Sequence, residues 1–270
     1  MNLFANALVG SVYLLFLVAS VYIYLSLLRQ IRARRAIPIA PTDQPKLFAL
    51  AETVLAAGLV GWFLLNVAAA AGRAPLTLRT GELIAGAVLS LGLLVFVLVF
   101  LKFRGFHLNT VTGFSKIGFG RALTTAFVLL LFAWPLIILA EAVTRSVVRS
   151  APSQQQIVEI FNNSQSLDQR IIIILIAVAI APMAEEMIFR FFLYGVLRQY
   201  LGAGIALVGN ALLFAIVHAH LPSLAALFIL GSCFTLAYEW SGSLLVPTLM
   251  HALFNASQLT FLAFPQLFPQ

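Results

Sequence analysis

The feature that most constrains this chain is a series of apolar runs, each about twenty residues long. Of its 270 residues, 62% are hydrophobic and only 9% are charged, whereas a soluble domain carries about 25% charged residues. A helix of about 20 apolar residues has the length needed to cross the hydrocarbon of a bilayer. Because backbone in lipid must satisfy its own hydrogen bonds, we expect an all-α, polytopic membrane protein.

The apolar runs predict about eight transmembrane helices in a bundle around a polar intramembrane cavity. Their expected bounds are 6–28, 47–71, 82–103, 122–143, 168–197, 203–220, 222–240 and 244–264. The longest polar connection separates the fourth run from the fifth. We therefore divide the chain into a four-helix membrane region (1–144), a polar loop (145–167) and a membrane core (168–264) that holds nearly all the intramembrane polar groups.

The net charge of +7 comes from basic residues in short loops beside the predicted spans. Ten of these residues fall on one side of the bundle, and five fall on the other, namely Arg73, Arg79, Arg145, Arg149 and Arg170. The side with more Lys and Arg is normally cytoplasmic. The pattern predicts membrane lipids, and not nucleic acid, as the partners of these charges.

The fifth run contains three ionisable residues within six positions, in the motif Glu185-Glu186-x-x-x-Arg190. Each charge in hydrocarbon costs roughly 2.5–3.5 kcal/mol, so the cluster indicates a functional site. Glu186 and Arg190 lie four apart on one helix face and can pair. Glu185 lies about 100° round the helix without that partner, so we expect it to act as a general base. Pro182 predicts a kink just before the motif.

Two further motifs lie on separate runs. Phe214-x-x-x-His218 is late in the sixth run, and His251-x-x-x-Asn255 is in the eighth. His218 could share a water with Glu185. His251 and Asn255 project from one helix face, where together they could donate two hydrogen bonds to a developing oxyanion.

Distance along the helices supports the first of these pairings. Glu185 and His218 are each about 16 residues from the turn marked by Gly202 and Gly204, which is roughly 24 Å along each helix. An antiparallel hairpin would place them at the same depth. His251 is only a few residues beyond the Ser241-Gly-Ser turn, which predicts a different depth and leaves its place in the site open.

The three motifs, in this order on three apolar runs, resemble those of the CAAX prenyl protease and bacteriocin-processing family of intramembrane proteases, which are type II CAAX endopeptidase-like proteins. The resemblance covers about residues 165–262. It implies a helical bundle with a water-filled cavity, and hydrolysis of a peptide bond in a hydrophobic or lipidated peptide or protein. It also implies roles in water activation (Glu185, His218), in oxyanion binding (His251, Asn255) and in support of the site (Glu186, Arg190, Phe214).

The sequence leaves metal dependence open. Glu185, His218 and His251 offer three zinc ligands, with a water in the fourth position. The His-Glu-x-x-His motif of the familiar zinc proteases is absent from the sequence, so we favour activation without a metal or cofactor.

Two other classes of protein compete with a protease. A proton-coupled transporter uses intramembrane Glu, His and Arg as a relay, but a relay needs titratable groups leading to both faces. A non-catalytic, immunity-type membrane protein would bind a peptide with the same scaffold. A pure binder should keep its function when Glu185 is replaced by Gln, so this substitution separates it from a protease. In each case we expect a multi-pass protein of the bacterial cytoplasmic membrane.

Overall fold

The computed structural model describes residues 3–36, 46–71, 80–107, 112–148, 161, 164 and 166–264. These residues are 90% helical and contain no strand. The all-α fold predicted from the apolar runs is confirmed. Most of the polar loop predicted at 145–167 lies outside the described residues, as do Arg73, Arg79 and Arg149. The three-part division of the chain stays a prediction, and so does the polar cavity.

The chain forms nine α-helices within the described residues. The first four are α1 (Leu3–Arg35), α2 (Leu50–Ala71), α3 (Thr80–Phe103) and α4 (Phe119–Val148). The next five are α5 (Leu167–Leu175), α6 (Ala181–Glu186), α7 (Tyr194–Val217), α8 (Leu224–Ser241) and α9 (Leu245–Ala263). Two π-helical segments, Ile176–Ile180 and Met187–Leu193, join α5, α6 and α7 into one continuous stretch.

The described residues contain six helical stretches long and apolar enough to cross a membrane, so the predicted count of eight is not confirmed. One reason is that Leu167–Val217 counts as a single stretch. It is broken at Gly202, whose φ of 75° and ψ of 165° mark the turn predicted between the fifth and sixth helices. The other reason is α9, which carries polar side chains, including His251 and Asn255, and is not among the six.

Helix α8 lies at the centre of the molecule, where it packs against α1, α4, α7 and α9. The apolar side chains of α1, α2 and α3 are mostly exposed, as lipid-facing side chains are in a membrane protein. The largest fully buried side chains come mostly from the C-terminal part of the chain and include Arg190, Tyr194 and Phe214. The core is therefore built mainly from the C-terminal part of the chain.

Basic residues gather at one end of the bundle, which we call the basic end. Here Glu239, near the end of α8, pairs with Arg35 at 2.5 Å and with Arg198 at 2.6 Å. Arg34 donates a hydrogen bond to the backbone carbonyl of Trp240 at 2.7 Å. These contacts bring together the end of α1, the end of α8 and the part of α7 that precedes Gly202. All three lie on the side predicted to be cytoplasmic.

The turn between α8 and α9 is buried. Gly242 ends α8 in the left-handed region, with φ 65°, and the two residues after it, Ser243 and Leu244, are fully buried. The N–H of Leu244 donates to the carbonyl of Thr112 at 2.9 Å. A Cβ atom on Gly113 would overlap the carbonyl oxygen of Gly242. Helix α9 therefore begins inside the protein, beneath the segment that contains Thr112 and Gly113.

Candidate active site

The two histidines of the motifs meet at Glu185. Nε2 of His218 and Nε2 of His251 each lie 4.0 Å from Oε2 of Glu185. This oxygen is buried and makes no hydrogen bond with another described residue. A gap of 4.0 Å is too long for a direct hydrogen bond, but it is a distance that one bridging water spans. The three atoms therefore converge on one point, and a bridging water there would supply the hydrogen bond that Oε2 of Glu185 lacks.

Hydrogen bonds at the opposite nitrogen orient both imidazole rings. Nδ1 of His218 lies 2.7 Å from the carbonyl oxygen of Phe214, and Nδ1 of His251 lies 2.9 Å from Oε1 of Glu186. Because a carbonyl and a carboxylate only accept, each Nδ1 must carry a proton and donate. The partner at Nδ1 thus fixes the orientation in which Nε2 faces Glu185.

A fully buried ion pair lies behind the histidines. Nη1 of Arg190 donates to Oε1 of Glu186 at 2.9 Å, and both side chains are 0% exposed. This is the pair predicted from their spacing of four residues. The guanidinium also lies 4.2 Å from the ring centre of Phe214 and 5.2 Å from that of Phe234. Pairing and aromatic contact offset part of the cost of burying these two charges, while Oε2 of Glu186 and Nε of Arg190 are buried without a hydrogen-bond partner among the described residues.

Asn255 has a backbone partner that results from the π-helical segment. In that segment the N–H of Ala181 bonds to the carbonyl of Ile176, five residues back. In the same register the carbonyl of Ala177 would accept from residue 182, but Pro182 has no N–H. Nδ2 of Asn255 donates to this carbonyl at 2.8 Å. The distortion predicted at Pro182 is thus a local change to π-helix, a feature frequent at functional sites.

The structure also explains why His251 reaches the depth of Glu185. Glu185 and His218 meet, as their equal distances from the Gly202 turn predict. A short distance from a turn places a residue near the surface only when the turn itself is at the surface. Ser243 and Leu244 are buried beneath the segment that contains Thr112 and Gly113, and His251 lies within two turns of helix from them.

Two residues at the site carried no signal in the sequence. The ring of Phe234 stacks on His251, with centres 5.1 Å apart and planes 27° apart. At Gly231 a Cβ atom would meet the ring of Phe214 at 3.1 Å, so this position allows α8 and α7 to approach closely. Both residues lie in an ordinary apolar run, and only the packing of α8 against the three motif helices distinguishes them.

The site is accessible on one side and closed on the other. The side chains of Glu185 and His218 are 30% and 26% exposed, whereas that of His251 is 5% exposed. A substrate can therefore approach the Glu185 and His218 side, while the buried groups hold the far side rigid.

The described residues contain no group of three or more His, Cys, Asp or Glu side chains arranged to hold a metal ion. The separations of 4.0 Å from Glu185 to each histidine are longer than the roughly 3.4 Å between ligands that lie 2.0–2.1 Å from a tetrahedral zinc. Holding zinc would require these side chains to move closer together.

Fold and site together define a helical integral membrane protein with a histidine and glutamate site inside its bundle. Residues 167–257, about a third of the chain, match the family model of type II CAAX prenyl endopeptidase Rce1-like proteins. The match contains all three motifs, so the resemblance predicted from them is confirmed. It supports an intramembrane endopeptidase of the CAAX type in general. No curated protein and no solved structure matches the chain.

Proposed function

We propose that the protein is an intramembrane endopeptidase of the bacterial cytoplasmic membrane, which hydrolyses a peptide bond in a prenylated or bacteriocin-like peptide or protein. The observation that carries the proposal is the meeting of two histidine Nε2 atoms at Oε2 of Glu185, each at 4.0 Å. The family match over residues 167–257 gives independent support.

The proposed reaction begins with a water held between Glu185 and His218. Oε2 of Glu185 accepts a hydrogen bond from one O–H of the water, and Nε2 of His218 accepts a hydrogen bond from the other. The water oxygen then bonds to the carbonyl carbon of the peptide, and its proton moves to Glu185. When the tetrahedral intermediate collapses, the C–N bond breaks and Glu185 returns that proton to the leaving amine.

His251 and Asn255 are the proposed donors to the oxyanion. Since Nδ1 of His251 already donates to Glu186, His251 donates to the oxyanion from Nε2 only when both ring nitrogens carry a proton. Asn255 has two amide hydrogens, and the carbonyl of Ala177 accepts only one of them. The second remains for the oxyanion, where each such donor contributes about 2.7–4 kcal/mol.

Glu186 and Arg190 are positioning residues in this scheme. Glu186 fixes the ring of His251, and Arg190 balances the charge of Glu186 within a fully buried cluster. Phe214 and Phe234 enclose the guanidinium. Phe214 also contacts the ring of His218, and Phe234 stacks on the ring of His251. Rigid support of this kind holds donors in place before the reaction begins.

Neither rival function accounts for the arrangement as directly. The ionisable groups described in the middle of the bundle form one cluster at Glu185, Glu186, Arg190, His218 and His251. A proton relay would need such groups along a path to both membrane faces. A pure peptide binder gives no reason for two imidazoles to face one carboxylate oxygen.

The test is peptide cleavage by the purified protein in detergent or bilayers. Matched hydrophobic peptides, with and without a prenyl group, are followed by mass spectrometry of the products. We expect wild type to cut at least one of them and Glu185→Gln to lose about 10²–10⁴-fold in rate, the usual contribution of a general base. The matched control is Glu141→Gln, since that glutamate pairs with Arg145 in an exposed position on α4.

Equal cleavage by wild type and Glu185→Gln would refute the proposed mechanism. Equal binding without any cleavage would favour the binding protein. The same assay with a strong chelator addresses the metal: unchanged cleavage is the result we expect, and a loss that zinc restores would instead assign zinc to Glu185, His218 and His251.

A further inference from the structure

A cavity of about 540 Å³ opens at the basic end of the bundle, away from the proposed active site. It lies between the end of α1, the start of α4 and the end of α8. Three basic side chains line it, together with Trp240 and polar groups that include Thr124 and Ser241; the basic residues are Arg34, Lys116 and Arg121. The volume is within the range of small-ligand sites.

The positive charge of this pocket is not neutralised by the protein. Among the described residues that line it, none is acidic. The neighbouring carboxylate, Glu239, is already shared by Arg35 and Arg198, both outside the lining. The side chains of Lys116 and Arg121 are exposed and make no hydrogen bond or ion pair with another described residue. Three like charges around one cavity repel one another unless an anion binds.

One of the three cations is held in place. Arg34 donates to the carbonyl of Trp240 at 2.7 Å, and its guanidinium lies 5.8 Å from the centre of the Trp240 ring. Part of the binding geometry therefore exists before a ligand arrives. The lining comes from the ends of α1 and α8 and from the start of α4, at the basic end of the bundle.

We propose that this pocket binds a phosphate group. Arg and Lys are the residues that proteins use most for phosphate, and basic pockets between helices on the cytoplasmic side bind anionic headgroups. The phosphate belongs either to a phospholipid headgroup or to a soluble phosphate compound. The site is separate from the peptidase chemistry and does not depend on it.

Trp240 supplies a reporter inside the pocket. With Trp62→Phe and Trp134→Phe it becomes the single tryptophan, because the chain has three. The purified protein in neutral detergent is titrated with phosphatidylglycerol, with diacylglycerol that lacks the phosphate headgroup, and with inorganic phosphate at constant ionic strength. Lipid retained by the protein is measured by mass spectrometry in the same samples.

The variant is Lys116→Gln with Arg121→Gln, which removes two exposed charges and keeps Arg34 in place. The control is Lys102→Gln, which removes an exposed charge at the end of α3, outside the pocket lining. We expect saturable binding of phosphatidylglycerol but not of diacylglycerol, with at least a ten-fold loss of affinity in the double variant and no change in the control.

Competition by inorganic phosphate identifies the source of the ligand. Binding of phosphatidylglycerol without competition supports a lipid headgroup, and binding of inorganic phosphate alone supports a soluble phosphate compound. If neither probe binds, or if Lys102→Gln weakens binding as much as the double variant does, the pocket is not a phosphate site. None of these outcomes depends on whether the protein cleaves peptides.

Discussion

At the scale of single residues, one oxygen atom connects the buried charges to the proposed chemistry. Oε1 of Glu186 accepts from Arg190 and from His251, each at 2.9 Å. Removing Glu186 would therefore leave a buried guanidinium without its counter-ion and an imidazole without its orienting partner. We therefore expect both the stability and the proposed activity to depend on this carboxylate.

We expect Glu186→Ala to lower the free energy of unfolding by about 3–5 kcal/mol, because the uncompensated charge of Arg190 stays buried. Thermal unfolding in detergent measures the change. Glu141→Ala is the matched control: it breaks an exposed pair with Arg145, for which about 0.2–1 kcal/mol is usual. Equal effects of the two substitutions would mean that the buried pair has no special structural role.

The hydrogen bonds at Nδ1 predict the tautomer of His218. The carbonyl of Phe214 requires a proton on Nδ1, so in the neutral ring Nε2 is free to accept from the water at Glu185. Nitrogen NMR of histidine-labelled protein, with His218→Ala to assign the signal, should show a protonated Nδ1. A neutral ring protonated at Nε2 instead would contradict the proposed activation of the water.

At this scale the sequence predicts a contact correctly where the spacing of two residues along a helix alone decides it. Glu186 and Arg190 are one helical turn apart, and they pair. The partner of Asn255 was not predictable, because the free carbonyl of Ala177 exists only where a π-helical register meets a proline. Phe234 and Gly231 were missed because their role comes entirely from packing between helices.

At the scale of helices and turns, the segment at Thr112 and Gly113 controls where α9 begins. It covers the α8–α9 turn and accepts the N–H of Leu244. Gly113 has a φ of 65° and no room for a side chain against Gly242. We therefore expect the position of His251, and with it one side of the proposed active site, to depend on this contact.

We expect Gly113→Ala to destabilise the protein by at least about 2 kcal/mol, since the new methyl group adds overpacking to backbone strain. Peptidase activity should fall as well, because α9 is displaced. Gly118→Ala is the control, as a Cβ there has no neighbour within 4 Å. Unfolding temperature and cleavage rate are measured for both; an unchanged Gly113→Ala would show that this contact does not position α9.

The contrast between two turns shows what the sequence could supply at this scale. Gly202 and Gly204 predicted the break that pairs Glu185 with His218, because the distance along each helix is a local property. The depth of α9 depends on a contact between Thr112 and Leu244, which are far apart in sequence. No count of residues from Ser241 could include that contact.

At the scale of the whole molecule, composition predicted the class of protein. Because the long apolar runs contain so few charges, a helical membrane protein is the structure that we expect. The exposed apolar faces of α1, α2 and α3 agree with that class. Which helix is central was not predictable, because α8 carries none of the three motifs, yet it contacts both motif helices that bear histidine.

The central claim is that a water at Glu185 attacks the peptide bond directly. A single turnover with enzyme in excess, in water labelled with ¹⁸O, tests it by mass spectrometry of the product's new carboxyl group. We predict one ¹⁸O atom there in the first turnover, after correction for exchange into added product. Unlabelled oxygen would contradict the claim, because it would show that a side-chain carboxylate, and not water, attacked the peptide bond.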